Sequence, residues 1–253
     1  MNFDALDASI LGPAFAAGLL VLATHVPLGR EVLRRGIIFI DLAVAQVAGL
    51  GVIAAHFFSE QPGTLAVQAV ALVAALVTAV LLNFTQRRWP DIQEALIGTL
   101  FILAASAGIL LLAGNPHGGE NLRELLVGQI LWVSPAALAA TLAVYAAVLG
   151  LWFGWRARLG GAGFYVLFAV AVTASVQLVG IYLVFASLIL PALATRKLPG
   201  TQALWWGYGI GAAGYLAGVT ASALFDLPTG AVIVWTLALT ALTAGTWLGR
   251  RGK

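Results

Sequence analysis

The feature that most constrains this chain is a series of long apolar stretches separated by short clusters of charge, at residues 10–26, 37–57, 64–82, 94–113, 125–152, 203–224 and 228–248. A helix rises ~1.5 Å per residue, so about 20 residues cross a hydrocarbon layer of ~30 Å. Composition agrees. A water-soluble protein of 253 residues needs about a quarter of its residues charged to cover its surface. Here 9% are charged and 61% are hydrophobic, so the covering solvent is lipid. The remaining stretch, about 163–195, is too long for one crossing. Gly180 and Pro191 interrupt it, which predicts two short or re-entrant segments whose freed backbone groups face protein or a water-lined cavity. The fold class is therefore all-α: a polytopic integral membrane helical bundle of eight or nine transmembrane segments, one of them broken or re-entrant. A single transmembrane domain fills 1–253, with no soluble domain.

Orientation follows from the basic residues, because basic loops are retained in the cytoplasm. If 163–195 crosses twice, every Lys and Arg except Arg123 falls on one side: Arg30, Arg34 and Arg35, then pairs at 87–88, 156/158 and 196–197, then the C-terminal group. That places the N-terminus outside and the C-terminus in the cytoplasm. The first stretch follows Asp4 and Asp7 and lacks a basic leader, so it reads as a retained helix and not a cleaved signal. The 29 glycines include Gly207 with Gly211 and Gly214 with Gly218. Four-residue spacing of this kind serves close helix packing, either ordinary or near a moving gate.

Function is sought among polar groups inside the spans, where a charge costs ~2.5–3.5 kcal/mol on insertion scales. Asp41 stands out among Ile37, Ile38, Phe39, Ile40 and Leu42. A helix starting near Gly36 would put it only ~7.5 Å deep, which leaves two readings: a pathway role, or a side chain that reaches cytoplasmic water or pairs with Arg34 or Arg35. Gln46 and Gln177 suit interhelical hydrogen bonds. His25 and His56 fall at opposite ends of the first two predicted helices and cannot form one site. His117 and Glu120 share an external loop, where an imidazole and a carboxylate could touch an incoming metal or simply lie in solvent. The chain has no cysteine, no phosphate-binding glycine loop, no nucleophile elbow and no His-Glu-x-x-His. No catalytic residue and no permanently bound cofactor are expected, and any energy supply resides on another subunit. The net charge of +3 is spread too thinly to form a nucleic-acid patch.

Four stretches carry a resemblance: Val179–Leu198 (VGIYLVFASLILPALATRKL), Phe225–Val234 (FDLPTGAVIV), Glu94–Phe101 (EALIGTLF) and Gly128–Ser134 (GQILWVS). Across about 19–239 the chain resembles the metal-uptake (zinc/manganese-type) family of ABC transporter permeases. The resemblance implies a bacterial inner-membrane importer of a divalent metal. It also implies a second copy of the chain flanking the pathway, an ATPase subunit docked below, and a soluble extracytoplasmic binding protein that delivers the metal. By the same resemblance, Arg196, Lys197, Leu198, Pro199 and Gly200 form the loop that couples to the ATPase. Asp41 matches the family's second-helix aspartate, a gate or pathway residue.

One departure bears on the substrate. The family pairs that aspartate with a histidine four residues on, a carboxylate and an imidazole on one helix face. Here the position is Ala45. Zinc or manganese with a lighter gate, or a different metal or metal complex, are the expected cargoes. A secondary transporter would carry coupling charges and repeated halves, and an intramembrane enzyme a nucleophile or metal cluster at span depth. Neither pattern is present in the sequence.

Overall fold

The computed structural model describes residues 7–59, 62–113, 115 and 118–251. Among them lie nine α-helices and no strand: α1 (Ala8–Arg35), α2 (Ile40–Phe58), α3 (Thr64–Arg88), α4 (Gln93–Leu112), α5 (Gly118–Val127), α6 (Pro135–Val179), α7 (Ile181–Ala194), α8 (Gly200–Phe225) and α9 (Thr229–Arg251). Non-helical backbone at Trp155 and Gly160 divides α6 into two legs. The legs fold back on each other, because the Tyr145 hydroxyl reaches Ala171 O at 3.3 Å and the Trp152 and Phe164 rings meet at 6.0 Å. Counting the legs separately, eight helices are long and apolar enough to cross a membrane. The expected polytopic helical bundle is the observed one.

Local chemistry explains where the helices begin and end. Asp7 caps α1 by accepting the Ser9 N–H at 2.8 Å, a bond that holds its carboxyl below the usual carboxylate range. The first helix was expected to stop at Val26, yet α1 runs through Pro27 to Arg35. Proline leaves the carbonyl four residues back without its N–H. That carbonyl, Ala23 O, takes the Tyr208 hydroxyl at 3.2 Å, so the helix continues. At the other end Gly36, with φ +70, closes α1.

The expected single span over 125–152 is also corrected. Gly128 adopts φ +72 and ends α5, a short 3-10 turn follows, and Ser134 caps a new helix by accepting the Ala137 N–H at 3.2 Å, with Pro135 in its first turn. Within 163–195 only half of the prediction holds. Gly160–Val179 is a full-length leg, and the break is at Gly180 alone (φ +81). Pro191 sits inside α7 without ending it.

At 14 residues α7 is too short to cross by itself, about 21 Å at ~1.5 Å per residue. It compensates by position. Leu183, Val184 and Leu188 are fully buried, and α7 packs against α1, α2, α5, α6, α8 and α9, so its broken ends face protein rather than lipid. The glycine ladder of α8 proves to be two packing seams. Gly207 and Gly211 admit Val26 and Leu22 of α1, whereas Gly214 and Gly218 admit Leu237 and Ile233 of α9. Apolar side chains such as Val73, Val77, Leu110 and Leu242 point outward.

The bundle has two chemically distinct ends. At one, the Arg30 guanidinium donates to Gly200 O at 2.6 Å and Arg35 stacks over the Phe164 ring at 4.2 Å, which gathers the ends of α1, the second leg of α6 and α8. This is the basic end. At the far end Gly128 and Gly180 press backbone on backbone, and Gly230 lies against the carbonyl of Val127. A Cβ at any of the three would overlap main-chain atoms, so glycine is required there.

Candidate functional site

Three of the four resemblance stretches meet at that far-end seam: Gly128 from one, Val179 and Gly180 from another, Gly230 from the third. The third stretch is held by its own turn. Ser222 Oγ donates to Leu227 O at 2.6 Å and lies 2.6 Å from Thr229 Oγ1, while Asp226 ends α8 with φ +52. Above the seam opens a cavity of ≈ 940 Å³, whose lining includes His56, Asn115, Glu124, Gln129, Trp132 and Gln177.

Asp41 lies toward the basic end, second residue of α2, and is fully buried. Its position depends on the left-handed Gly36 and the turn at 37–39, which fold α2 inward immediately after α1. Among the described residues neither carboxylate oxygen has a hydrogen-bond partner. The pairing with Arg34 or Arg35 does not form, because Glu31 engages both: Arg34 Nε donates to its Oε2 at 3.0 Å and Arg35 Nε to its Oε1 at 2.8 Å. Asp41 is thus enclosed by its own chain. Ala45, one turn on, is fully buried as well.

Sequence reasoning missed what surrounds Tyr145. His25, expected at a helix end, lies in the interior of α1 and is fully buried. A carbonyl can only accept, so the 2.9 Å contact with Val21 O puts the proton on Nδ1 and leaves Nε2 as acceptor. Ser175 Oγ stands 3.2 Å from Nε2, and the Tyr145 hydroxyl bonds Ser175 in turn. The chain Tyr145, Ser175, His25 ties both legs of α6 to α1. Its signal in the sequence was faint: three polar residues in apolar helices, 120 and 30 positions apart. Gln46 is buried, and Gln177 lines the cavity.

The other expected residues are dispersed. His56 is exposed on the last turn of α2, whereas His25 is buried inside α1. His117 lies outside the described residues, and Glu120 is exposed on α5. Among the described residues no three of His, Asp or Glu gather as a metal cluster. Arg196 and Lys197 are exposed in the turn between α7 and α8, with Leu198 half-buried and Pro199 and Gly200 exposed. Arg196 Nη1 donates to Leu193 O at 3.0 Å, and Thr195 Oγ1 caps Pro191 O at 2.8 Å, which fixes this turn on the end of α7.

The chain is 26% identical over 252 residues to the manganese transport system membrane protein MntC of Halalkalibacterium halodurans, covering 90% of this chain and 84% of that one. Its fold matches that of PsaBC from Streptococcus pneumoniae, solved in complex with Fab, with a TM-score of 0.77 and 21% identity over 96% of this chain and 95% of the other. It also matches an inward-facing metal-chelate type ABC transporter, with a TM-score of 0.66 and 19% identity over 94% and 83%. The sequence model of the ABC 3 transport family matches residues 7–160 and 154–247. Nearly the whole chain is covered, and the protein belongs to the ABC 3 transport family as the membrane-spanning permease subunit of an ABC transporter.

Proposed function

We propose that this permease imports a divalent metal, manganese or zinc, and that Asp41 is its pathway or gate residue. The carrying observation is a fully buried carboxylate with two unpartnered oxygens in a chain of a transport family. Such a group costs free energy unless it meets a cation or water during its working cycle. The manganese-transporting relative supports the choice of cargo. Uptake of manganese, zinc and iron by a deletion strain expressing this chain tests the reading. Accumulation of manganese or zinc is expected. Failure with all three metals would overturn it in favour of a metal complex as cargo.

The remaining machinery is separate. The chain carries no nucleotide-binding motif, so ATP is hydrolysed by a partner subunit that docks at the basic end, on Arg196, Lys197, Leu198, Pro199 and Gly200. An extracytoplasmic binding protein delivers the metal to the far end. A second copy of the chain completes the pathway in the cytoplasmic membrane, with lipid around the outward apolar faces. Crosslinking in native membranes is expected to trap a homodimer, and trapping monomers alone would refute the pairing.

A further inference from the structure

α2 carries a second ionisable side chain at its other end. His56 lies fifteen residues beyond Asp41, about 22 Å along the axis and about 60° around it at 3.6 residues per turn. One helix therefore holds a carboxylate near the basic end and an imidazole at the far end, on neighbouring faces. His56 Nδ1 sits 2.9 Å from Val52 O. Because a carbonyl only accepts, the proton is on Nδ1, and Nε2 presents a lone pair with no hydrogen bond among the described residues. A histidine oriented by a backbone carbonyl through one nitrogen is prepared to ligate through the other.

The same ≈ 940 Å³ cavity is lined by Glu124 of α5. Its Oε1 accepts the Gln129 amide at 2.7 Å, which steadies the carboxylate, while its other oxygen makes no hydrogen bond among the described residues. Asn115 and Gln177 add amide groups to the lining. Imidazole nitrogen with carboxylate and amide oxygen suits a borderline divalent ion such as zinc or manganese, and lacks the sulfur that a soft monovalent ion prefers. Both side chains are exposed, so an ion held there keeps part of its water. That is the requirement for transit, in which binding favours entry and still permits release.

We propose, resting on the metal-import reading, that this cavity is the receiving vestibule for the divalent cation, with His56 Nε2 and the Glu124 carboxylate as its protein ligands before the ion reaches Asp41. The test uses the full chain in lipid nanodiscs with Mn2+ alone, following the electron paramagnetic resonance signal of the free ion. His56→Gln and Glu124→Gln are each expected to weaken one class of Mn2+ binding about tenfold or more, and Asp41→Asn to leave that class in place. His56→Asp keeps a ligand at the position, so it is expected to restore Mn2+ binding and to lower zinc binding relative to manganese. Wild-type affinity in both Gln variants, or no Mn2+ binding by the wild-type chain, overturns the vestibule. Loss of binding in a folded His56→Asp protein as complete as in His56→Gln overturns the ligand role of His56. The metal-import reading fails separately, through a wild-type chain that accumulates no manganese, zinc or iron in cells.

Discussion

Asp41 carries a desolvation cost that no hydrogen bond among the described residues offsets, since both oxygens are buried and unpartnered. Asp41→Asn keeps the shape and removes the charge. The variant is expected to melt at or above the wild-type temperature in detergent and to reach normal membrane levels, yet to lose most metal uptake. A group kept for function at the expense of stability has that signature. Wild-type uptake at matched expression would return Asp41 to a structural role. The sequence made Asp41 legible because a lone carboxylate among isoleucines is conspicuous. Its depth was not legible: the helix starts at Ile40 rather than Gly36, and Glu31, which occupies both nearby arginines, is one turn from them along α1. His25 was hidden for a similar reason. Apolar length alone ends the first span at Val26, and the Tyr208 hydroxyl on Ala23 O, a tertiary contact, lets the helix pass Pro27.

Among the elements, close packing of α1 against its neighbours sets the tolerance of its glycines and theirs. A Cβ on Gly29 would strike the carbonyl of Leu188 in α7, which is main chain and cannot rotate away. A Cβ on Gly211 of α8 would strike only the tip of the Leu22 side chain. Gly29→Ala is therefore expected to cost about 1–3 kcal/mol. For Gly211→Ala the gain in helix propensity, about 1 kcal/mol, offsets much of the crowding. Thermal melts in detergent compare the two, and equal losses would contradict the packing argument. The turn after α7 is where a motion of that buried helix would emerge, since Thr195 and Arg196 are bonded to its last carbonyls. Reversing charge at both Arg196 and Lys197 is expected to abolish transport-coupled ATP hydrolysis while Asp41 and the bundle stay intact. Unchanged hydrolysis would place the dock elsewhere. The long helices were legible from apolar length alone. The junctions were not, because Gly128 and Gly180 are specified by each other's backbone across 52 positions, a contact that local sequence cannot announce.

For the whole molecule, the sidedness turns on α7. The eight long helices would by themselves return the C-terminus to the side of the N-terminus. If α7, buried at the centre and about 21 Å long, completes a ninth crossing, then α8 starts at the basic end, where Arg30 already holds Gly200 O. The basic loops then share one side, and the positive-inside tendency makes that side cytoplasmic. On that arrangement the N-terminus is expected outside and the C-terminus inside. Because the chain has no cysteine, single introduced cysteines report position without background. Gly63, Asp91, Lys197 and Leu227 are exposed at helix ends and suit substitution. With a membrane-impermeant maleimide on intact cells, Gly63→Cys and Leu227→Cys are expected to label, and Asp91→Cys and Lys197→Cys only after permeabilisation. Were α7 to turn back without crossing, everything after it would invert, so Lys197→Cys would label from outside and Leu227→Cys would be protected. That outcome would also remove the Arg196 turn from the reach of a cytoplasmic ATPase, and the coupling assignment would fall with the topology.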